Sequence, residues 1–314
     1  MPTPTAPSGR PEPTEFCVIL NAASGRRNAG DAEAGLSRLF GDNAGRVSVI
    51  TVAAGADLPA AIARAVEEGH RVLVAAGGDG TIAAVADAAV THGRTLGILP
   101  MGTFNFVARG FGIPEDPAEA AALLLSGTAR PVAVADVNGR IFLNNASLGL
   151  YPAILREREG IYRRWGRSRL AAHWSVVRTV LGLVRPLHLG VVVDGRTLRT
   201  RTPLVFVARS AFQLDRYGLD GADAVRAGRF ALFVAPDAPP LRLMLIAVRL
   251  AVGTARPGRD LGLVECDEID VATSGRDILV AHDGERTRLA TPLRFRIRRD
   301  ALRIIAPETG EPPA

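Results

Sequence analysis

A strand-like segment, Arg71 followed by the apolar run Val72-Leu73-Val74-Ala75, leads through Ala76 into Gly77-Gly78-Asp79-Gly80-Thr81, and a helical stretch follows from Ile82 to Thr91. An apolar run without alternation reads as a strand buried on both faces, as in a parallel sheet covered by helices. The glycines permit positive φ and close approach of a ligand. Backbone N–H groups in such a loop point outward with no side chain in the way, and the helix that follows adds a dipole favouring an anion. Asp79 suits Mg²⁺ or a phosphate-bound water, and the Thr81 hydroxyl suits a phosphate or a helix cap. A tight strand-to-helix turn with no ligand is the bland alternative. Five consecutive residues of this kind after a buried strand favour a nucleotide.

The same alternation runs through the first part of the chain. Phe16 to Leu20 reads as a strand ending in the turn Asn21-Ala22-Ala23-Ser24-Gly25, followed by a helix at Asp31 to Phe40. Val47 to Val52 reads as a strand, Leu58 to Glu68 as a helix, and Leu96 to Leu99 as a strand that ends at Pro100. Residues 15–135 therefore form an expected parallel α/β domain. Loops after the carboxyl ends of parallel strands converge on one crevice. Asn21 to Gly25, Gly77 to Thr81 and Pro100 to Arg109 are three such loops. Beyond them the pattern changes to short strands at Ala133–Asp136, Arg140–Ala146, Gly190–Val193, Thr197–Ala208, Arg229–Val234, Glu268–Thr273, Ile278–His282, Leu293–Ile297 and Ala301–Ile305, with turns such as Asn138-Gly139 and Asp194-Gly195. That spacing predicts an antiparallel β-sandwich over 136–300, its last strands near 293–305 available to pack back on the first domain. Residues 1–14 and 307–314 read as disordered tails.

Composition narrows the chemistry. The net charge is +6, all 38 basic residues are arginine, and there is no lysine. This excludes Walker-type phosphate loops and the strand lysine of protein kinases, which both place an ammonium at the phosphates. Positive charge favours an anionic partner, nucleotide or membrane surface. No apolar run reaches the roughly 18 residues that span a bilayer. Leu241 to Val252, the longest, is broken by Arg242 and Arg249. It fits an interfacial helix or a core helix. The Pro-, Thr- and Ser-rich start lacks the apolar core of a signal peptide. Cys17 and Cys266 lie in apolar strand contexts and read as reduced, buried thiols of a cytosolic protein.

Three blocks, Asn21…Ser24-Gly25, Gly77-Gly78-Asp79-Gly80-Thr81 and Pro100-x-Gly102-Thr103-x-Asn105, together resemble the diacylglycerol kinase catalytic-domain family, which includes sphingosine kinases and bacterial lipid kinases. Asn144-Asn145-Ala146-Ser147-Leu148-Gly149 and Asp283-Gly284-Glu285 match further blocks, so the resemblance runs from about residue 14 to 300. It implies an α/β nucleotide domain, like that of NAD kinases and phosphofructokinases, joined to a β-sandwich lipid-substrate domain. The implied activity is transfer of the γ-phosphoryl of ATP, with Mg²⁺, to a lipid hydroxyl. The implied ATP-binding positions are Asn21, Ser24, Gly25, Thr51, Gly77, Gly78, Asp79, Gly80, Thr81, Ile82, Ala83, Gly102, Thr103 and Asn105. Glu285 is implied as the base that takes the alcohol proton. Asp79 is its rival and otherwise the residue organising Mg²⁺ or phosphate. Bacterial members often carry an acidic residue before a glycine that helps hold a structural Mg²⁺; Ala227 stands there in Ala224 to Gly228, which argues against a metal. Asp215, Asp220 and Asp223 are nearby substitutes or solvated loop residues.

For the acceptor, Tyr151 to Val184 interleaves six arginines up to Arg169 with Ile161, Tyr162, Trp165, Leu170 and Trp174 and ends in an apolar run. Rings and guanidinium groups together suit a lipid headgroup interface. A solvated arm over the β domain has the same composition, and no recognised nucleic-acid module accompanies it. The expected location is cytoplasmic with peripheral membrane association. Exposed sheet edges would permit a homodimer. The alternatives are a kinase of a soluble polyol or NAD, and a non-catalytic nucleotide- or lipid-binding regulator; the retained Glu285 argues against the second.

Overall fold

The computed structural model describes residues 14–22, 35–36, 38–53, 57–150, 152, 186–251, 253–256 and 258–308. Strands β1 (Phe16–Asn21), β2 (Val47–Val52), β3 (Val72–Gly77) and β4 (Thr95–Pro100) pair in parallel in the order β2-β1-β3-β4. β3 is buried throughout and β1 everywhere except Asn21, as their unbroken apolar runs require. Helix α1 (Leu58–Glu67) buries Leu58, Ala61, Ile62 and Ala65, and α2 (Asp79–His92) buries Ile82, Val85, Ala86 and Ala89. This i, i+3, i+4 spacing is the stripe that covers a sheet. α2 begins at Asp79 rather than at Ile82, so the glycine loop is shorter than its sequence suggests. Two further helices follow, α3 (Phe106–Gly110) and α4 (Pro117–Ser126), the latter capped by Asp116 through the Ala118 and Glu119 amides.

The first sheet does not stop at β4. β16 (Leu293–Ile305) pairs in parallel with β4 at Arg303 and Ile304, and antiparallel with β5 (Ala129–Val137) and β13 (Ile269–Thr273). β8 (Leu187–Val193) and β9 (Arg196–Thr202) extend this ten-stranded sheet, and β6 (Arg140–Phe142) pairs with β5. The second sheet is fully antiparallel, in the order β12 (Gly262–Cys266), β11 (Phe230–Val234), β10 (Leu204–Ala208), β7 (Asn145–Gly149), β14 (Asp277–His282), β15 (Glu285–Ala290). The fold is thus α/β with a C-terminal antiparallel sandwich.

Four expected strands change character. Arg140–Ala146 divides into β6 and β7 on different sheets. Thr197–Ala208 divides at Pro203, which has no N–H for a ladder. There Gly149 at φ +85° passes so close that an added Cβ would lie 2.2 Å from the Pro203 carbonyl oxygen. The two strands expected near 293–305 are one, β16, with an irregularity between Arg298 and Leu302.

The sandwich core forms where the sheets face each other, with Phe142 stacked on Phe230 and edge-on to Phe295. Val205 and Val207 of β10 point into this core, and Phe206 and Ala208 into a further layer. Period-two alternation of apolar residues on both faces buries β10 on both sides. Helices α5 (Ala211–Arg216), α6 (Ala222–Arg226) and α7 (Pro240–Ala251) make that outer layer. Cys17 and Cys266 are free, and burial raises each thiol to about 12. Among the described residues no helix is long and apolar enough to cross a membrane.

Candidate active site

In the order β2-β1-β3-β4 the chain leaves β1 for β2 on one side and returns to β3 on the other, so the switch point lies between β1 and β3. Crevices of open α/β sheets form there, outside the carboxyl ends of the strands. Asn21 closes β1, and its Nδ2 donates to Thr81 Oγ1 at 2.9 Å across that gap. Thr81 is buried, and this bond ties its hydroxyl to the end of β1. Thr51 is exposed at the end of β2.

Gly78 is the N-cap of α2 and offers no capping side chain, which leaves amides of the first turn for a ligand. Gly102 faces it: a Cβ on Gly102 would lie 2.7 Å from Gly78 Cα and 2.8 Å from Asn105 Oδ1. Glycine is needed here because two backbones touch. The Met101 amide donates to the Gly77 carbonyl at 2.8 Å, and the Gly102 amide to Asn105 Oδ1 at 2.9 Å. Asn105, in the left-handed region at φ 50°, donates through Nδ2 to Glu115, which also pairs with Arg109. Thr103 and Phe104 are exposed above this frame. Asp79 Oδ1 accepts from the Val107 amide at 2.9 Å, so its carboxylate sits at the N-terminus of α3. Burial pushes its proton affinity up, and the Val107 and Phe106 amides pull it back down.

The Asp283-Gly284-Glu285 turn joins β14 to β15. Its anchor is Asp283, whose carboxylate accepts from the amides of Leu143 (2.6 Å), Asn144 (2.8 Å) and Asn145 (3.1 Å). The Asp283 amide donates in return to the Asn145 carbonyl at 3.0 Å. Burial lifts this carboxyl from 3.8 to about 6 against the pull of the three amides, and the charge of Asp79 adds to the rise. Asn145 is held in turn by Gln213, at 2.9 Å. The glycine loop and the turn therefore share one electrostatic neighbourhood.

Glu285 stands on the rim of a cleft of about 530 Å³ that runs along α1 and α2 and includes Ile62, Val66, Ala83, Asp87, Arg140 and His282. Burial raises the Glu285 carboxyl above its ordinary value, and Asp87 raises it further. Arg140 Nη1 lies 3.9 Å from Asp87. Burial lowers His282, whose Nε2 lies 3.2 Å from Thr287 Oγ1.

Thus Asn21, Gly77–Ala83, Gly102, Thr103 and Asn105 gather around the switch point, and the turn bearing Glu285 lies close by. Ser24, Gly25 and, apart from Pro152, the Tyr151–Val184 arm lie outside the described residues. Ala227 follows α6, and its neighbour Arg226 pairs with both Asp215 and Asp223. Among the described residues no three or more His, Cys, Asp or Glu side chains are grouped so that they could hold a metal ion. No local motif marks Glu115, Gln213 or Asp87, whose partners lie on separate elements.

Residues 15–137 match the sequence profile of the diacylglycerol kinase catalytic domain. They are a domain of that family. "Probable lipid kinase YegS-like" of Pseudomonas aeruginosa is 50% identical over 91 residues, 28% of this chain and 30% of the relative. The diacylglycerol kinase of Bacillus subtilis is 36% identical over 135 residues, 42% of this chain and 45% of the relative. The matched segments thus span less than half the length of either relative. A crystal structure of a diacylglycerol kinase from Bacillus anthracis superposes with TM-score 0.62 at 18% identity, over 94% of this chain and 97% of that one. At that identity the superposition speaks for the fold alone, and it extends beyond the catalytic domain into the sandwich.

Proposed function

We propose that this chain transfers the γ-phosphoryl of Mg-ATP to a hydroxyl of a diacylglycerol-like lipid, with Glu285 as the proton acceptor. The observation that carries this is the anchoring of the Asp283-Gly284-Glu285 turn by the amides of residues 143–145, within electrostatic reach of Asp79 in the glycine loop. The names of the Pseudomonas and Bacillus subtilis relatives point to the same chemistry.

Each residue has a role in this scheme. Gly78 and Gly102 keep side chains out of the space where phosphates approach the first turn of α2. Asn21 and Thr81 fix that turn to β1. Asp79, engaged with the α3 amides, organises the loops rather than taking the proton. Mg²⁺ bound with the nucleotide supplies neutralisation of phosphate charge, with Asp79 as its candidate protein ligand. A lipid hydroxyl is barely ionised near neutral pH, and a carboxylate with raised proton affinity is the better acceptor for it.

The test uses purified protein, labelled ATP, Mg²⁺ and liposomes carrying diacylglycerol, phosphatidylglycerol or a sphingoid base. Glu285→Gln should keep nucleotide affinity and lose transfer by about 10²- to 10⁴-fold. Unchanged turnover removes Glu285 as the base. Absence of any labelled lipid across the panel, despite ATP binding, removes the lipid acceptor.

A further inference from the structure

We infer that the outer face of α7 docks the protein on an anionic lipid bilayer, an inference that rests on the lipid acceptor proposed above. α7 is apolar nearly all round, with Arg242 and Arg249 as its only charged residues. Such a helix is ordinarily buried on every side. Here Leu243 and Ile246 pack inward into the outer-layer core, while Leu241, Leu245 and Val248 are 78%, 48% and 51% exposed. Their i, i+4, i+7 spacing makes one stripe. Packing against the sandwich needs only the inner stripe; an apolar outer one is unfavourable in water unless something covers it.

The surrounding charges indicate what covers it. Arg249 is neutralised by Asp260 at 2.7 Å. Arg242 near the start of α7 and Arg256 beyond its end are exposed, with no carboxylate in ion-pair reach among the described residues. An apolar stripe bracketed by free guanidinium groups matches a bilayer, where leucines enter the acyl boundary and arginines meet headgroup phosphates. The net charge of +6 adds attraction to an anionic surface.

The stripe also connects to the candidate site. Just past α7, the Gly253 carbonyl oxygen would lie 3.6 Å from a Cβ placed on Gly218. The preceding Tyr217 is 41% exposed, and its ring lies 6.0 Å from that of Phe106. Phe106 stacks on Phe104 at 5.5 Å, and Phe104, 62% exposed, belongs to the Gly102–Asn105 loop. The segment just past the docking helix therefore lies beside Tyr217, from which a row of rings runs through Phe106 to the loop facing the glycine turn.

The test is co-sedimentation of the full chain with vesicles of phosphatidylcholine alone and of phosphatidylcholine with phosphatidylglycerol. The wild type is compared with the triple variant Leu241→Gln, Leu245→Gln, Val248→Gln. The wild type should bind the anionic vesicles, and the variant should partition about tenfold less. Phosphorylation of vesicle-embedded diacylglycerol should fall in parallel, while turnover of a water-soluble short-chain diacylglycerol stays at the wild-type level. If the triple variant melts below the wild type, Leu241→Gln alone, at the most exposed position, should still weaken partition severalfold. Unchanged vesicle binding in a folded variant overturns the inference. A wild-type dimer that the variant dissolves does so too, because the stripe then covers a second copy. Vesicle binding that depends on the stripe, with no lipid phosphorylated, upholds the docking surface and removes the kinase proposal instead.

Discussion

Asp283→Asn isolates the group on which the candidate base depends. In the wild type the buried carboxyl has its proton affinity raised from 3.8 to about 6. That is about a hundredfold, or about 3 kcal/mol, between folded and unfolded states. The folded state holds its proton to higher pH than the unfolded chain does. The stabilising contribution is therefore complete below pH 3.8 and is lost as pH rises through about 6. Between pH 4.5 and 7 the loss amounts to about 2 kcal/mol. Asparagine does not titrate, so this component vanishes in the variant. The amide also presents N–H to a site where both carboxylate oxygens accept from backbone amides, leaving at least one donor unpaired at a cost of about 1–3 kcal/mol. Urea denaturation of both proteins across pH 4.5 to 7.5 gives the difference in stability, from which titrations common to both cancel. The wild type should lose about 2 kcal/mol relative to the variant between the ends of that range. A difference that stays flat with pH refutes the idea that burial of this carboxylate sets its proton affinity.

Two glycines give sharper steric tests. Gly102→Ala places a methyl 2.7 Å from Gly78 Cα, so the two loops must separate. ATP affinity by calorimetry should fall at least about tenfold, with stability reduced by about 1–3 kcal/mol. Gly149→Ala combines φ +85° with a Cβ 2.2 Å from the Pro203 carbonyl oxygen. Its thermal midpoint should drop by several degrees or more, consistent with about 3 kcal/mol or more of strain at a residue outside the ATP loops.

Where a signal was local, the sequence carried it. The apolar runs of β1 to β4, the apolar stripes of α1 and α2 and the glycine loop each announce themselves within about a dozen residues, and topology then brings three loops to one switch point. Failures occur where a continuous local pattern hides a long-range decision. Arg140–Ala146 reads as one strand, yet the chain changes sheet inside it. The two stretches of 293–305 read as separate, yet β16 carries on through its irregularity and joins the parallel sheet to the antiparallel part. The structural part that Asp79 plays is equally hidden, because nothing near it in sequence shows that the Val107 amide, 28 positions on, donates to one of its carboxylate oxygens.

Asp283 is the extreme case, since its three partners lie 138 to 140 positions away. Those partners are backbone amides of Leu143, Asn144 and Asn145, which almost any residue type would provide. The pairing is therefore invisible as a pattern of side chains, and the information sits in one carboxylate. Glutamate at position 283 would push its oxygens about one bond too far for all three amides, and the left-handed backbone, φ 45°, tolerates aspartate or asparagine better than longer side chains. The candidate base Glu285 thus stands two residues from a carboxylate that ties its turn to the three amides of residues 143–145.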